Sequence, residues 1–125
     1  MPISEYDKAQ RASFMKSSAF KSLPSDALEI IADRFKALSE PTRLRLLNAL
    51  MDGERSVSNL VEITGINQAS VSKHLGQLAD ANMVGRRRDG SNVFYFIADE
   101  TLFEICRLMC AKLQKEFGDT AARFR

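Results

Sequence analysis

The chain has 125 residues, 45% of them hydrophobic and 27% charged, the composition of one globular domain rather than of a disordered chain. Its 18 Lys and Arg against 16 Asp and Glu leave a net charge of +2, too small an excess to identify a nucleic-acid partner unless the charges are clustered. Cys106 and Cys110, four positions apart, exclude the disulfide framework of a small secreted fold; the single histidine, His74, leaves no conventional His/Cys zinc set within one subunit.

No apolar run approaches the roughly 20 residues of a membrane span. The opening string MPISEYDKAQRASFMKSS is polar and mixed in charge, unlike a secretory leader, and the expected location is the cytoplasm. The expected organisation is an arm or short helix over 1–22, carrying Tyr6, Phe14 and Phe20, a folded domain over 23–118, and a tail over 119–125. Ser25 reads as the N-cap of a helix to about Leu38, with Leu28, Ile31, Ala32, Phe35 and Leu38 at helical spacing. Pro41 suits a first helical turn, and TRLRLLNALM follows with Leu44, Leu47 and Met51 directed inward until Asp52-Gly53 ends it.

A short helix over about Val57–Ile63 presents Leu60, Val61 and Ile63, and Thr64-Gly65 is the turn after it. Asn67 caps the next helix, QASVSKHLGQLADA, with Val71, Leu75, Leu78 and Ala79 on its apolar face. Two helices joined by a tight glycine-containing turn form a helix-turn-helix. Gly76 inside the second helix costs roughly 1 kcal/mol relative to alanine, so a close packing contact is expected there.

Met83-Val84 opens a strand that continues to Arg88, Asp89-Gly90 supplies turn chemistry, and VFYFI returns. Both faces of the returning strand are apolar, Val93, Tyr95 and Ile97 on one and Phe94 and Phe96 on the other, and one of them covers the core. Asp99 caps a last helix with Leu102, Ile105, Cys106, Met109, Cys110, Leu113 and Phe117 on one stripe. The order is that of a mainly α winged helix-turn-helix with a β-hairpin wing and an added terminal helix.

The strings FKALSEPTRLRLLNAL and SVSNLVEITGINQASVSKHLGQLADANMVGRRRDGSNVFYF, with the helix after them, resemble the ArsR/SmtB-type winged-helix repressors from about Ile31 to Leu113. The S-x-S-K-H-L-x-x-L run followed by an RRDG hairpin and a Y-F strand is the specific part of the match. The resemblance implies a homodimer paired through its first and last helices, which releases double-stranded operator DNA on meeting an inducer or a thiol modification.

The second helix of such a motif enters the major groove. Its outward positions are expected to be Gln68, Ser70, Lys73, His74 and Gln77. Gln pairs with adenine, Lys with guanine and Ser with base or phosphate, while Ser72 and His74 hold phosphates or neighbouring backbone. On the hairpin, Arg87, Arg88, Ser91 and Asn92 suit phosphate or minor-groove contact. A solvated polar helix face and a charged, aggregation-resistant edge strand are the blander readings of the same residues.

Inducer sites that the resemblance would imply are mostly absent. Ser56-Val57-Ser58 stands at the Cys-x-Cys position, and Asp99, Thr101, Lys112 and Lys115 stand at the last-helix zinc position, where two lysines offer no lone pair at neutral pH. A thiol-switch branch pairs a cysteine after the PTR segment with one in the last helix; Cys110 matches the second, but Asn48 occupies the first. Cys106 and Cys110 share one helix face and are either small core hydrophobes or thiols for a thiophilic metalloid or oxidative modification. The function expected is a sequence-specific repressor needing no cofactor; a winged-helix protein-interaction module is the alternative, and no catalytic constellation motivates an enzyme.

Overall fold

The structure is a computed structural model describing Lys8 and residues 23–118; apart from Lys8, the expected arm over 1–22 and tail over 119–125 lie outside the described residues. The chain divides into two compact units, Met1–Phe35 and Lys36–Arg125. Helix α1 spans Ser25–Leu38. The Pro24 carbonyl accepts the Ala27 and Leu28 N–H groups, so Ser25 is already helical rather than the cap expected of it. In the first unit this helix leaves Leu28, Ile30 and Phe35 exposed.

The second unit is built on α2 (Pro41–Leu50), α3 (Val57–Thr64), α4 (Gln68–Asp80) and α5 (Thr101–Phe117), with strands β1 (Arg55–Ser56), β2 (Val84–Asp89) and β3 (Asn92–Ile97). Glu40 caps α2: its Oε2 accepts the Arg43 N–H at 3.0 Å, and Pro41 occupies the first turn, where its missing N–H costs nothing. Leu46, Leu47 and Leu50 are the buried positions of α2, whereas Leu44, expected inward, is 44% exposed. Leucines at 44, 46, 47 and 50 cover more than one arc of the helix, and packing on both α3 and α4 selects among them.

Ser56 caps α3 through its Oγ, which accepts the Asn59 N–H, and left-handed Gly65 closes the helix with φ 73°. Asn67 caps α4, its Oδ1 accepting the Ser70 N–H at 2.9 Å. Past the end of α4, Asn82 takes φ 61°, and the Met83 N–H reaches back to the Leu78 carbonyl. A side-chain amide tolerates that left-handed conformation better than most residues do, so the chain turns from helix into β2 without a glycine. The close packing expected at Gly76 is absent: no neighbouring atom lies within 4 Å of the position a Cβ would take.

The hairpin is joined by a third, short strand that the sequence pattern did not reveal. Sheet order is β1-β3-β2, both pairs antiparallel, with Arg55 opposite Tyr95 and Arg86 opposite Tyr95 on the other side. Asp89 pairs with Asn92, leaving Gly90 and Ser91 as a two-residue loop with φ 62° at Gly90, the geometry that matches strand twist in tight hairpins. Arg55 ties the short strand down, its Nε donating to the Ala49 carbonyl and its Nη1 to Asn59 Oδ1, both at 2.8 Å.

The core lies between α2, α3, α4 and the inner face of the sheet. Leu46, Leu47, Leu50, Leu60, Val71, Leu75, Leu78, Met83 and Leu102 are almost wholly buried there. Full burial of each such side chain contributes about 1.5–3 kcal/mol before the entropy of ordering it is subtracted. Val93, Tyr95 and Ile97 pack on this core, while Phe94 and Phe96 lie on the outer face of β3. The Phe96 ring there covers Gly85, whose missing side chain makes the room.

Candidate nucleic-acid interface

The N-terminal half of α4 and the tip of the hairpin meet. A cleft of about 220 Å³ is lined by Gln68 and Ser72 from α4, by Ser91, Asn92 and Val93 from the hairpin, and by Ser56, Val57 and Ser58 where α3 begins. Ser56 and Ser58, which sequence reasoning did not place in this surface, enter it because β1 pairs with β3 and brings the start of α3 beside the wing. No side chain in this lining is ionised at neutral pH. It offers hydroxyl and amide groups, which donate and accept hydrogen bonds without committing to one charge.

On α4 the buried stripe runs through Val71, Leu75 and Leu78; Gln68, Lys73 and Gln77 are exposed as expected, and Ser72 is exposed as well. Ser70 and His74 depart from expectation. Both are half-buried rather than exposed, and helical spacing alone does not account for it, because Gln77 stands in the same relation to Leu78 and is exposed. His74 retains 17% side-chain exposure; its Nδ1 is buried without a hydrogen-bond partner and lies 3.9 Å from Glu40 Oε2. Desolvation pushes the Glu40 carboxyl up, but the N–H groups of Arg43 and Thr42 and the neighbouring His74 outweigh it and hold the carboxyl below the usual range.

The three consecutive arginines divide by strand alternation. Arg86 and Arg88 share a face with buried Val84, opposite Tyr95 and Val93, and Arg87 projects from the other face opposite Phe94. Arg87, with 47% of its side chain exposed, is engaged within the chain. Its Nη2 and Nε donate to the two oxygens of Glu54 at 2.6 and 3.2 Å, its guanidinium carbon sits 4.7 Å from the Phe94 ring centroid, and Asp89 Oδ2 lies 4.0 Å from Nη1. The Arg87 hydrogen bond is the chief cause holding the Glu54 carboxyl below its ordinary value. Among the described residues, Arg86 and Arg88 have no ion-pair or hydrogen-bond partner.

Ahead of α5, Asp99 Oδ1 accepts from the Thr101 N–H at 3.0 Å and from its hydroxyl at 2.6 Å, but the cap position expected of Asp99 falls to Glu100, which makes no side-chain cap hydrogen bond. The expected apolar stripe is covered in only part: Leu102 is buried and Ile105, Cys106 and Leu113 half-buried, but Met109 is 60% exposed and Cys110 is exposed as well. Cys110 is therefore no core hydrophobe of this subunit. Burial first, and the neighbouring Cys110 second, push the Cys106 thiol up, so it is protonated at neutral pH. Lys112 pairs with Glu116 at 3.3 Å, and among the described residues no group of three or more His, Cys, Asp or Glu converges as a metal site. Nor, among those residues, is any helix long and apolar enough to cross a membrane.

Residues 40–85 match the model of the bacterial regulatory protein, arsR family. A protein of Streptomyces lividans named "Probable mercury resistance operon repressor" is 38% identical over 92 residues, covering 74% of this chain and 74% of the relative. Among solved structures, that of Rv0081 from Mycobacterium tuberculosis superposes with a TM-score of 0.66 at 33% identity, covering 79% of this chain and 98% of that one. A homodimeric winged helix-turn-helix DNA-binding domain from Mycobacterium bovis, solved by NMR, gives a TM-score of 0.67 at 28% identity, covering 78% of this chain and 95% of the other. The winged helix-turn-helix, the S-x-S-K-H-L run on α4 and the extent of these matches lead to one conclusion: the chain belongs to the arsR family of bacterial regulatory proteins.

Proposed function

We propose that the protein is a homodimeric transcriptional repressor whose 23–118 domain binds operator DNA through α4 and the β2–β3 wing. The observation that carries this reading is the meeting of Gln68 and Ser72 with Ser91 and Asn92 around one polar cleft, in a chain of the arsR family. Gln68, Lys73 and Gln77 face the major groove; Ser72, Ser91 and Asn92 hold the backbone beside it. Ser70 and His74, half-buried on α4, contribute at the edge of this surface.

Two-fold pairing supplies the second half-site. Support for it comes from apolar side chains left exposed on the terminal helices: Leu28, Ile30 and Phe35 on α1, and Phe103, Leu108 and Met109 on α5. The Mycobacterium bovis domain of the same fold is homodimeric. Release by a thiophilic metalloid or by thiol modification is assigned to Cys106 and Cys110, which share one face of α5 and are reachable from solvent. No resident cofactor is needed for binding.

Fluorescence anisotropy with DNA from upstream of the protein's own gene tests this. The expected result is tight binding that weakens steeply with salt. As(III) or a persulfide donor then releases the wild type but not the Cys106→Ser/Cys110→Ser variant. A folded dimer without sequence preference or salt dependence would overturn the repressor reading in favour of a protein-interaction module, and release that ignores both cysteines would remove their sensing role.

A further inference from the structure

The wing carries three adjacent cations, and the fold gives them two different tasks. We infer that Arg86 and Arg88 are its phosphate contacts, and that Arg87 is a positioning residue, latched to Glu54 so that it sets the pitch of the wing without contacting DNA. The inference rests on the DNA-binding reading above and assigns the residues of that surface.

Charge is the first argument. Arg87 faces two carboxylates: Glu54, joined to it by two hydrogen bonds, and Asp89 at 4.0 Å. Around that guanidinium the local sum is one negative charge, which repels a phosphate rather than attracting it. A planar guanidinium already held by both oxygens of a carboxylate also has fewer donors to offer. Arg86 and Arg88 carry their full charge, with no partner among the described residues.

Direction is the second argument. Arg88 lies opposite Val93 and Arg86 opposite Tyr95, on the inner face of the hairpin. Val93 lines the cleft together with Gln68 and Ser72 of α4, so that face continues the surface of the helix-turn-helix. The two arginines are two strand positions apart, about 6.8 Å, and extend the surface along the hairpin. Arg87 alternates to the opposite face, over the Phe94 ring.

The latch has a geometric consequence. Glu54 immediately precedes β1, and β3 lies between β1 and β2. The Glu54–Arg87 bond therefore crosses the central strand and joins the two edges of the sheet. Ser56, two residues from Glu54, caps α3. The wing is thus tied to the start of the helix-turn-helix, and its angle to α4 is held by a bidentate contact that lysine cannot reproduce.

The full chain, titrated onto the upstream DNA at several salt concentrations, separates these roles. Arg86→Gln and Arg88→Gln should each flatten the slope of log K against log salt by about 0.9 per protomer, one phosphate contact each. Arg87→Ala should weaken binding at every salt concentration while the slope stays as in the wild type. Arg87→Lys, which keeps the charge, should behave like Arg87→Ala. Glu54→Gln should weaken binding similarly, with the Glu54→Gln/Arg87→Ala double variant no weaker than either single one. If Arg87→Ala flattens the slope, if Arg87→Lys binds as the wild type does, or if Arg86→Gln leaves the slope unchanged, the inference fails while the DNA-binding reading stands. A wild type without salt-sensitive binding overturns both.

Discussion

The contact between Gly85 and Phe96 offers a test of the outer sheet face with an unusual signature, a substitution whose effect changes sign. A Cβ placed on Gly85 would lie 2.5 Å from Phe96 Cζ, 2.7 Å from Cε2 and 3.2 Å from Cε1. Ordinary carbon contacts need about 3.5–4.0 Å, so the ring must retreat by about 1 Å or tilt into solvent. It has room to do so, because Phe96 is 37% exposed, and the retreat uncovers the backbone of β2. Overpacking of this kind costs about 1–3 kcal/mol. Alanine recovers about 0.5–1 kcal/mol relative to glycine in a strand, leaving Gly85→Ala destabilised by up to about 2.5 kcal/mol. In a Phe96→Ala background the obstacle is gone, and the same change should stabilise by about 0.5–1 kcal/mol. Urea denaturation at one fixed protein concentration reads this as opposite shifts in the midpoint at constant m, since association would otherwise contribute to stability. Destabilisation of equal size in both backgrounds would refute the steric account and point to a requirement of the Gly85 backbone itself.

Two other expectations concern stability. Gly76 has no atom within 4 Å of the position its Cβ would take, so Gly76→Ala should stabilise the protein by about 1 kcal/mol through helix propensity, seen as a raised urea midpoint. Acid sensitivity should depend on Glu54. Its carboxyl titrates below the ordinary value of 4.5 in the folded chain, chiefly because Arg87 donates to it, so its stabilisation is present above that value and is lost as pH falls through the lowered one. Glu54→Gln should accordingly reduce the fall in thermal midpoint between neutral pH and the region below 4.5, and an unchanged acid limb would show that the pair is not formed in solution.

Much of the candidate surface was legible in the residues because it depends on local rules. Asn67 as a cap, the 71/75/78 stripe and the Gly65 turn define α4 and the helix-turn-helix from spacing alone, and Asp89-Gly90 locates the hairpin. Alternation even fixes that Arg86 and Arg88 share one face and Arg87 the other. What it does not disclose is that a carboxylate 33 residues away waits on Arg87's side of the sheet. Nor could spacing foresee β1, since two residues carry no period.

The division follows from range. Helix periodicity, caps and turns are interactions within a few residues, so the order of a winged helix-turn-helix and the polar face of α4 are written in the residues themselves. Packing between distant segments selects which leucines of α2 are buried, half-buries Ser70 and His74, and leaves Cys110 exposed. It also selects which wing arginine is neutralised, because that depends on β3 lying between Glu54 and Arg87, a pairing of strands distant along the chain.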